Sequence, residues 1–172
     1  MSLSYFELFG LSPIFDVDLN ALESNYRKLQ STSHPDRFVT ASTTEKLQSM
    51  QTATLANEAY QTLKSPGLRS AYLLSLQGIT AIAENDNKMP ADFLMQQLEW
   101  REAVEDAEHA KNIVALENLL DEIGTEGKKL QHTLSNQFKN NQLTDATTNT
   151  RKLIFMDKAR ADIVKSIEKL EE

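Results

Sequence analysis

The sequence predicts an all-α protein, an N-terminal helical hairpin followed by a C-terminal antiparallel three-helix bundle, and three observations carry that reading. The 172 residues include only five glycines and four prolines, and three of the prolines stand where a helix would start or stop. Apolar residues recur at three- and four-residue spacing, whereas strand-like alternation is nearly absent. The composition, 40% hydrophobic and 25% charged, is that of a folded chain rather than a disordered one.

Tyr5 to Phe9 forms a short apolar turn closed by Gly10, and Ser12-Pro13 begins a loop. Asp18 caps the next helix, in which Leu19, Leu22, Tyr26 and Leu29 descend one face. That helix stops near Ser33, because Pro35 disfavours a helical conformation in the residue before it. A second long helix runs from about Ser42 to Leu63 with Leu55, Ala56, Ala59 and Leu63 on one side, so a short loop joins two antiparallel helices. After Ser65-Pro66-Gly67 a third segment, Leu68 to Leu76, is amphipathic and ends at Gly78. Residues 79–89, rich in Asn, Asp and small side chains, read as a linker.

Pro90 suits the first turn of a helix reaching about His109. Asn112 to about Asn140 forms the next, with Gly124 and Gly127 weakening its middle by roughly 1 kcal/mol each relative to Ala. The last begins near Thr144 or Asp145 and carries Leu153, Met156, Ala159, Ile163, Ile167 and Leu170 as its core stripe. Three such helices make an antiparallel bundle. The chain thus divides into residues 1–78, a linker at 79–89 and residues 90–172.

Composition excludes several functions. Without cysteine there is no disulfide framework, thiolate metal site or cysteine nucleophile. The net charge of −7 and pI near 5.0 argue against nucleic-acid binding, which draws its affinity from basic surface. That charge divides as −1 over residues 1–78 and −6 over the remainder. Met1 to Gly10 lacks a basic n-region and a long apolar stretch, and nowhere do about 18 apolar residues run together, so a cytoplasmic protein outside the membrane is expected.

The helix from Pro90 to His109 has two apolar faces. With Leu94 at zero on a wheel of about 100° per residue, Phe93, Trp100, Val104 and Ala107 cluster at roughly 220 to 280°, facing the bundle. Leu94, Met95, Leu98, Glu99, Glu102 and Asp106 fall at roughly 0 to 140°. One packed face cannot bury both sets, so the second presents Leu and Met beside carboxylates, a composition suited to a partner surface. Ile154 and Phe155 also lie off the last helix's core stripe and extend that patch.

The most specific feature is His34-Pro35-Asp36, between the two long helices of the hairpin. Together with Tyr26-Arg27-Lys28-Leu29, Arg37-Phe38, the run Ala56 to Leu63, Pro66 and Arg69-Ser70-Ala71-Tyr72, it resembles the J-domain family in order and spacing over roughly residues 3 to 76. Tyr72-Leu73-Leu74-Ser75-Leu76-Gln77-Gly78, the run Phe93 to Glu99, and Arg151 to Lys158 are similar to the HscB-type members that serve iron-sulfur cluster biogenesis. That resemblance covers nearly the whole chain. It implies that His34-Pro35-Asp36 docks on an HscA-like heat-shock 70-type chaperone and promotes ATP hydrolysis without supplying chemistry, so no cofactor and no catalytic residue is expected. Arg27, Lys28 and Arg37 would add a small basic patch for an acidic partner surface, although the family often has Lys where Arg37 stands and a more basic second helix. It further implies that Leu94, Met95, Leu98, Glu99, Glu102 and Phe155 form the docking site for an IscU-like iron-sulfur scaffold protein. Ile154 stands where a basic residue is usual in that family.

Three rival readings follow from the same residues, and one of them, a purely structural helical protein, leaves the exposed apolar stripe unexplained. A metal-dependent hydrolase using His34 and Asp36 would need further ligands, yet His109 and His132 lie on other helices without a two-histidine spacing. A J-domain co-chaperone for a different client would share the loop and differ in the second apolar face.

Overall fold

The computed structural model describes residues 3–83 and 88–172, and the described residues are helical without a β-sheet. Residues 84–87 of the expected linker lie outside them. The chain divides into two compact units, Met1–Leu73 and Leu74–Glu172.

In the first unit, α1 (Tyr5–Leu8) opens with a capping box: Glu7 N–H donates to Ser4 Oγ at 3.1 Å and Ser4 N–H to Glu7 Oε2 at 3.0 Å. Gly10 then turns the chain at φ +65°, a conformation that disfavours a side chain. α2 (Leu19–Ser33) and α3 (Thr43–Lys64) form the hairpin, capped by Asp18 and Ser42. Their seam buries Leu22, Ala56, Ala59 and Leu63, and stacks Tyr26 on Tyr60 with ring centres 4.1 Å apart. The small alanines let the helices approach closely.

Two residues of the expected seam stay outside it, since Leu19 is 51% and Leu55 40% exposed. The buried set of α3, Ser49, Ala56, Ala59 and Leu63, follows a seven-three-four spacing, and Leu55 sits about 100° of helix rotation away from Ala56. Leu19 is the first helical residue, at the rim of the stripe.

α4 (Pro66–Leu76) is fastened by Arg69, which is only 5% exposed. Its guanidinium donates from Nε to Phe15 O and from Nη1 to Leu63 O, both at 2.7 Å, and lies 4.9 Å from the Phe15 ring centre. Burial pulls its pKa down to about 10, with Asp16 acting in the opposite direction, so it stays charged at neutral pH. α1 is held by Tyr72, whose hydroxyl accepts from Tyr5 N–H at 2.9 Å while the two rings stack.

In the second unit, Gly78 terminates α4 at φ +79°, and Ile79 N–H reaches back to Leu74 O at 2.9 Å. The bundle helices are α5 (Ala91–His109), α6 (Ile113–Lys139) and α7 (Leu143–Glu171). Phe93, Trp100, Ala107, Leu116, Ile123, Met156 and Ile163 form their core. Phe93 meets both Trp100 and Phe155 edge-on, at 6.3 and 5.8 Å between centres. The expected inward stripe of α5 is buried at Phe93, Trp100 and Ala107 and partly buried at Val104. Among the described residues, no helix is long and apolar enough to cross a membrane.

Candidate functional site

The His34 loop takes its shape from proline. His34 is extended at φ −62°, ψ 133°, as the residue before a proline prefers, and Pro35 occupies the first position of a 3-10 turn, Pro35–Phe38. Arg37 N–H closes the turn on His34 O at 3.0 Å. The His34 ring folds over it, with Nδ1 accepting from Asp36 N–H at 3.2 Å. The same Nδ1 stands 3.5 Å from Asp36 Oδ2, so the ring and the carboxylate lie side by side. His34, Pro35 and Asp36 are all exposed. The loop thus presents an imidazole and a carboxylate together at the surface, on a turn closed by backbone hydrogen bonding. Among the described residues no three His, Asp or Glu side chains converge as a metal ion would require.

The flanking basic residues are not equivalent. All three are exposed, but Arg27 is paired with Glu23 one turn earlier at 2.7 Å, which partly offsets its charge on the helix surface. The less basic character expected of this face is therefore accentuated.

On the second unit, Leu94, Met95 and Leu98 are 50%, 60% and 49% exposed, and Glu99, Glu102 and Asp106 follow them along the helix, also exposed. This is the face opposite Phe93 and Trp100. Phe155 is half-buried against the core, edge-on to Phe93, so it serves both core and surface. Leu94 and Phe155 meet in an apolar groove of about 310 Å³, lined also by Ile82, Met89, Gln97, Arg151 and Ile154. Met95, Leu98, Glu99 and Glu102 share the helix face but do not line the groove.

Sequence reasoning singled out neither Ile82 nor Met89 nor Arg151 as part of this site. The available signal was weak: two apolar side chains near the ends of a segment otherwise read as polar linker. Ile154, whose role the sequence left open, stands in the groove wall.

Known proteins resemble this chain throughout. A family model described as the HSCB C-terminal oligomerisation domain matches residues 89–164. A co-chaperone protein HscB homolog of Burkholderia thailandensis is 45% identical over 168 residues, covering 98% of this chain and 96% of the relative. One from Ralstonia nicotianae is 43% identical over 170 residues, covering 98% and 97%. Among solved structures, the chaperone HscB of Vibrio cholerae superposes with a TM-score of 0.83 at 36% identity over 98% of this chain and 99% of the other. The human co-chaperone protein HscB gives 0.86 at 30% identity over 94% and 81%.

Proposed function

The chain belongs to the HscB family of J-domain co-chaperones, and from that premise we propose that it activates an HscA-like heat-shock 70-type ATPase and delivers an IscU-like iron-sulfur scaffold protein to it. In this reading residues 1–78 act as the J-domain, 79–89 connect, and 90–172 hold the client. His34, Pro35 and Asp36 contact the ATPase, with Lys28 and Arg37, and to a lesser degree the Glu23-paired Arg27, steering the encounter. Leu94, Met95, Leu98 and Phe155 supply the apolar centre of the client surface, and Glu99 and Glu102 its rim.

The observation that carries the reading is the half-exposed Leu94, Met95 and Leu98 stripe on a helix whose opposite face already fills the bundle core. A leucine-methionine patch bordered by carboxylates at its C-terminal side has the composition of an interface centre. Support for the other half comes from the cap on His34, which restricts the loop before a partner arrives, so less entropy is lost on docking.

The test separates the two surfaces. His34→Gln is expected to abolish stimulation of the cognate chaperone's ATPase in single-turnover assays while the helical circular dichroism signal stays unchanged. Leu94→Ala with Leu98→Ala is expected to weaken scaffold binding by about 30- to 100-fold in a titration, as for two central interface anchors, leaving stimulation by the free protein intact. Equal stimulation by His34→Gln and wild type, or unchanged scaffold affinity in the double mutant, would sink the corresponding half. Recovery from the native cell of a client other than the scaffold favours the alternative co-chaperone.

A further inference from the structure

Among the described residues, Arg151 of α7 reaches the connection ahead of α5 with two hydrogen bonds. Arg151 donates from Nε to Ala81 O at 2.6 Å and from Nη1 to Lys88 O at 3.4 Å, so its fork holds a backbone carbonyl near each end of residues 79–89. Ala81 is 3% exposed beneath this clasp. The neighbours of the two anchored residues, Ile82 and Met89, become one wall of the apolar groove whose other wall is Leu94, Ile154 and Phe155. Ile82 and Met89, the apolar side chains beside the two anchored carbonyls, thereby become part of a binding surface.

We propose that Arg151 is a positioning residue for client binding: by clasping Ala81 and Lys88 it sets Ile82 and Met89 against Leu94 and Phe155, forming a groove that takes an aliphatic side chain of the iron-sulfur scaffold. This rests on the scaffold being the client. The occupant follows from the lining, which is aliphatic and aromatic apart from Gln97 and Arg151, and from the groove's continuity through Leu94 with the exposed Leu94, Met95 and Leu98 stripe. Lysine cannot reproduce the clasp, because a guanidinium presents donors in a planar fork whereas an ammonium is a compact point charge.

The experiment titrates the metal-free scaffold protein of the same organism into the full chain by calorimetry. Arg151→Lys is expected to weaken binding about tenfold, as does Ile82→Ala with Met89→Ala, while chaperone stimulation by the free protein is unchanged. In the Ile82→Ala, Met89→Ala background, Arg151→Lys should add almost nothing, because the wall it positions is gone. Additive losses, or unchanged affinity for Arg151→Lys, overturn the proposal. Leu98→Ala, outside the groove, is the control arm. If it weakens binding and the groove variants do not, only this inference fails, whereas absence of binding by the wild type removes the client reading and the inference together. Should Arg151→Lys fold poorly, unchanged affinity in Ile82→Ala with Met89→Ala overturns the proposal alone.

Discussion

His34 does two things at once, and a substitution can separate them. Its Nδ1 caps Asp36 N–H, a task asparagine performs well at a helix start, whereas asparagine's amide donor sits on a shorter side chain and does not reach as far as the imidazole Nε2. His34→Asn is therefore expected to keep the 3-10 turn, seen as an unchanged Asp36 amide resonance, yet lose ATPase stimulation as fully as His34→Gln. Retained stimulation would mean the histidine serves only as a cap. A second residue links charge to stability. Burial pushes the Asp157 carboxyl above its ordinary value, with Arg160 pulling weakly the other way, so folding disfavours its charged form. Its folded pKa exceeds the unfolded one, and the resulting cost is present in full above the raised folded value and vanishes below the ordinary carboxylate value of about 4. Asp157→Asn should raise the melting temperature at pH 7, and the gain should close as the pH falls through the acidic range. A constant gain across that range would assign the effect to packing instead.

At the scale of the helices, α6 offers a clean measure of local propensity. Gly127 is buried mid-helix, and a Cβ added there would meet Leu153 Cδ1 at 3.8 Å, ordinary van der Waals contact. Gly127→Ala should therefore stabilise the protein by about 0.5 to 1 kcal/mol in urea unfolding, and a destabilised variant would show that the α6–α7 seam needs the gap. The helices were legible in the sequence because their signals are local: Asp18, Ser42 and Asn112 all cap as residue type suggests, and Gly78 ends α4. Where the cap is silent the boundary moved, α7 starting at Leu143 without a side-chain cap from Gln142 rather than at Thr144 or Asp145. Leu19 and Leu55 matched a helical period yet stayed exposed, because period alone does not say how wide the covered stripe is. The fastening of 79–89 was not legible at all: it depends on Arg151 reaching two carbonyls more than sixty residues earlier, and no local pattern records such a pairing. The exposed face of α5, by contrast, followed from arithmetic on the wheel, since two opposed apolar stripes cannot both enter one core.

Across the whole chain, charge is distributed as the proposed division of labour requires. Residues 1–78 are nearly neutral, with 6 Lys+Arg against 7 Asp+Glu, while the remainder carries 12 against 18. The acidic excess belongs to the part that bears Glu99, Glu102 and Asp106 beside the exposed leucines. Exposed charges at an interface rim act mainly through long-range attraction during encounter, while the apolar centre governs how long the complex lasts. At an ionic strength of about 0.5 M the screening length falls below about 5 Å, so a rim carboxylate no longer attracts a partner that has not yet docked. Client association should therefore slow by about tenfold between low salt and 0.5 M salt, with dissociation nearly constant. Neutralising the rim with Glu99→Gln, Glu102→Gln and Asp106→Asn should flatten that dependence, whereas Leu94→Ala with Leu98→Ala should leave the salt slope alone and quicken dissociation. Stopped-flow measurements of both rate constants decide the matter. A salt effect carried by dissociation, or one untouched by the triple neutralisation, would place the electrostatic recognition elsewhere on the acidic unit and leave the stripe as a purely apolar contact.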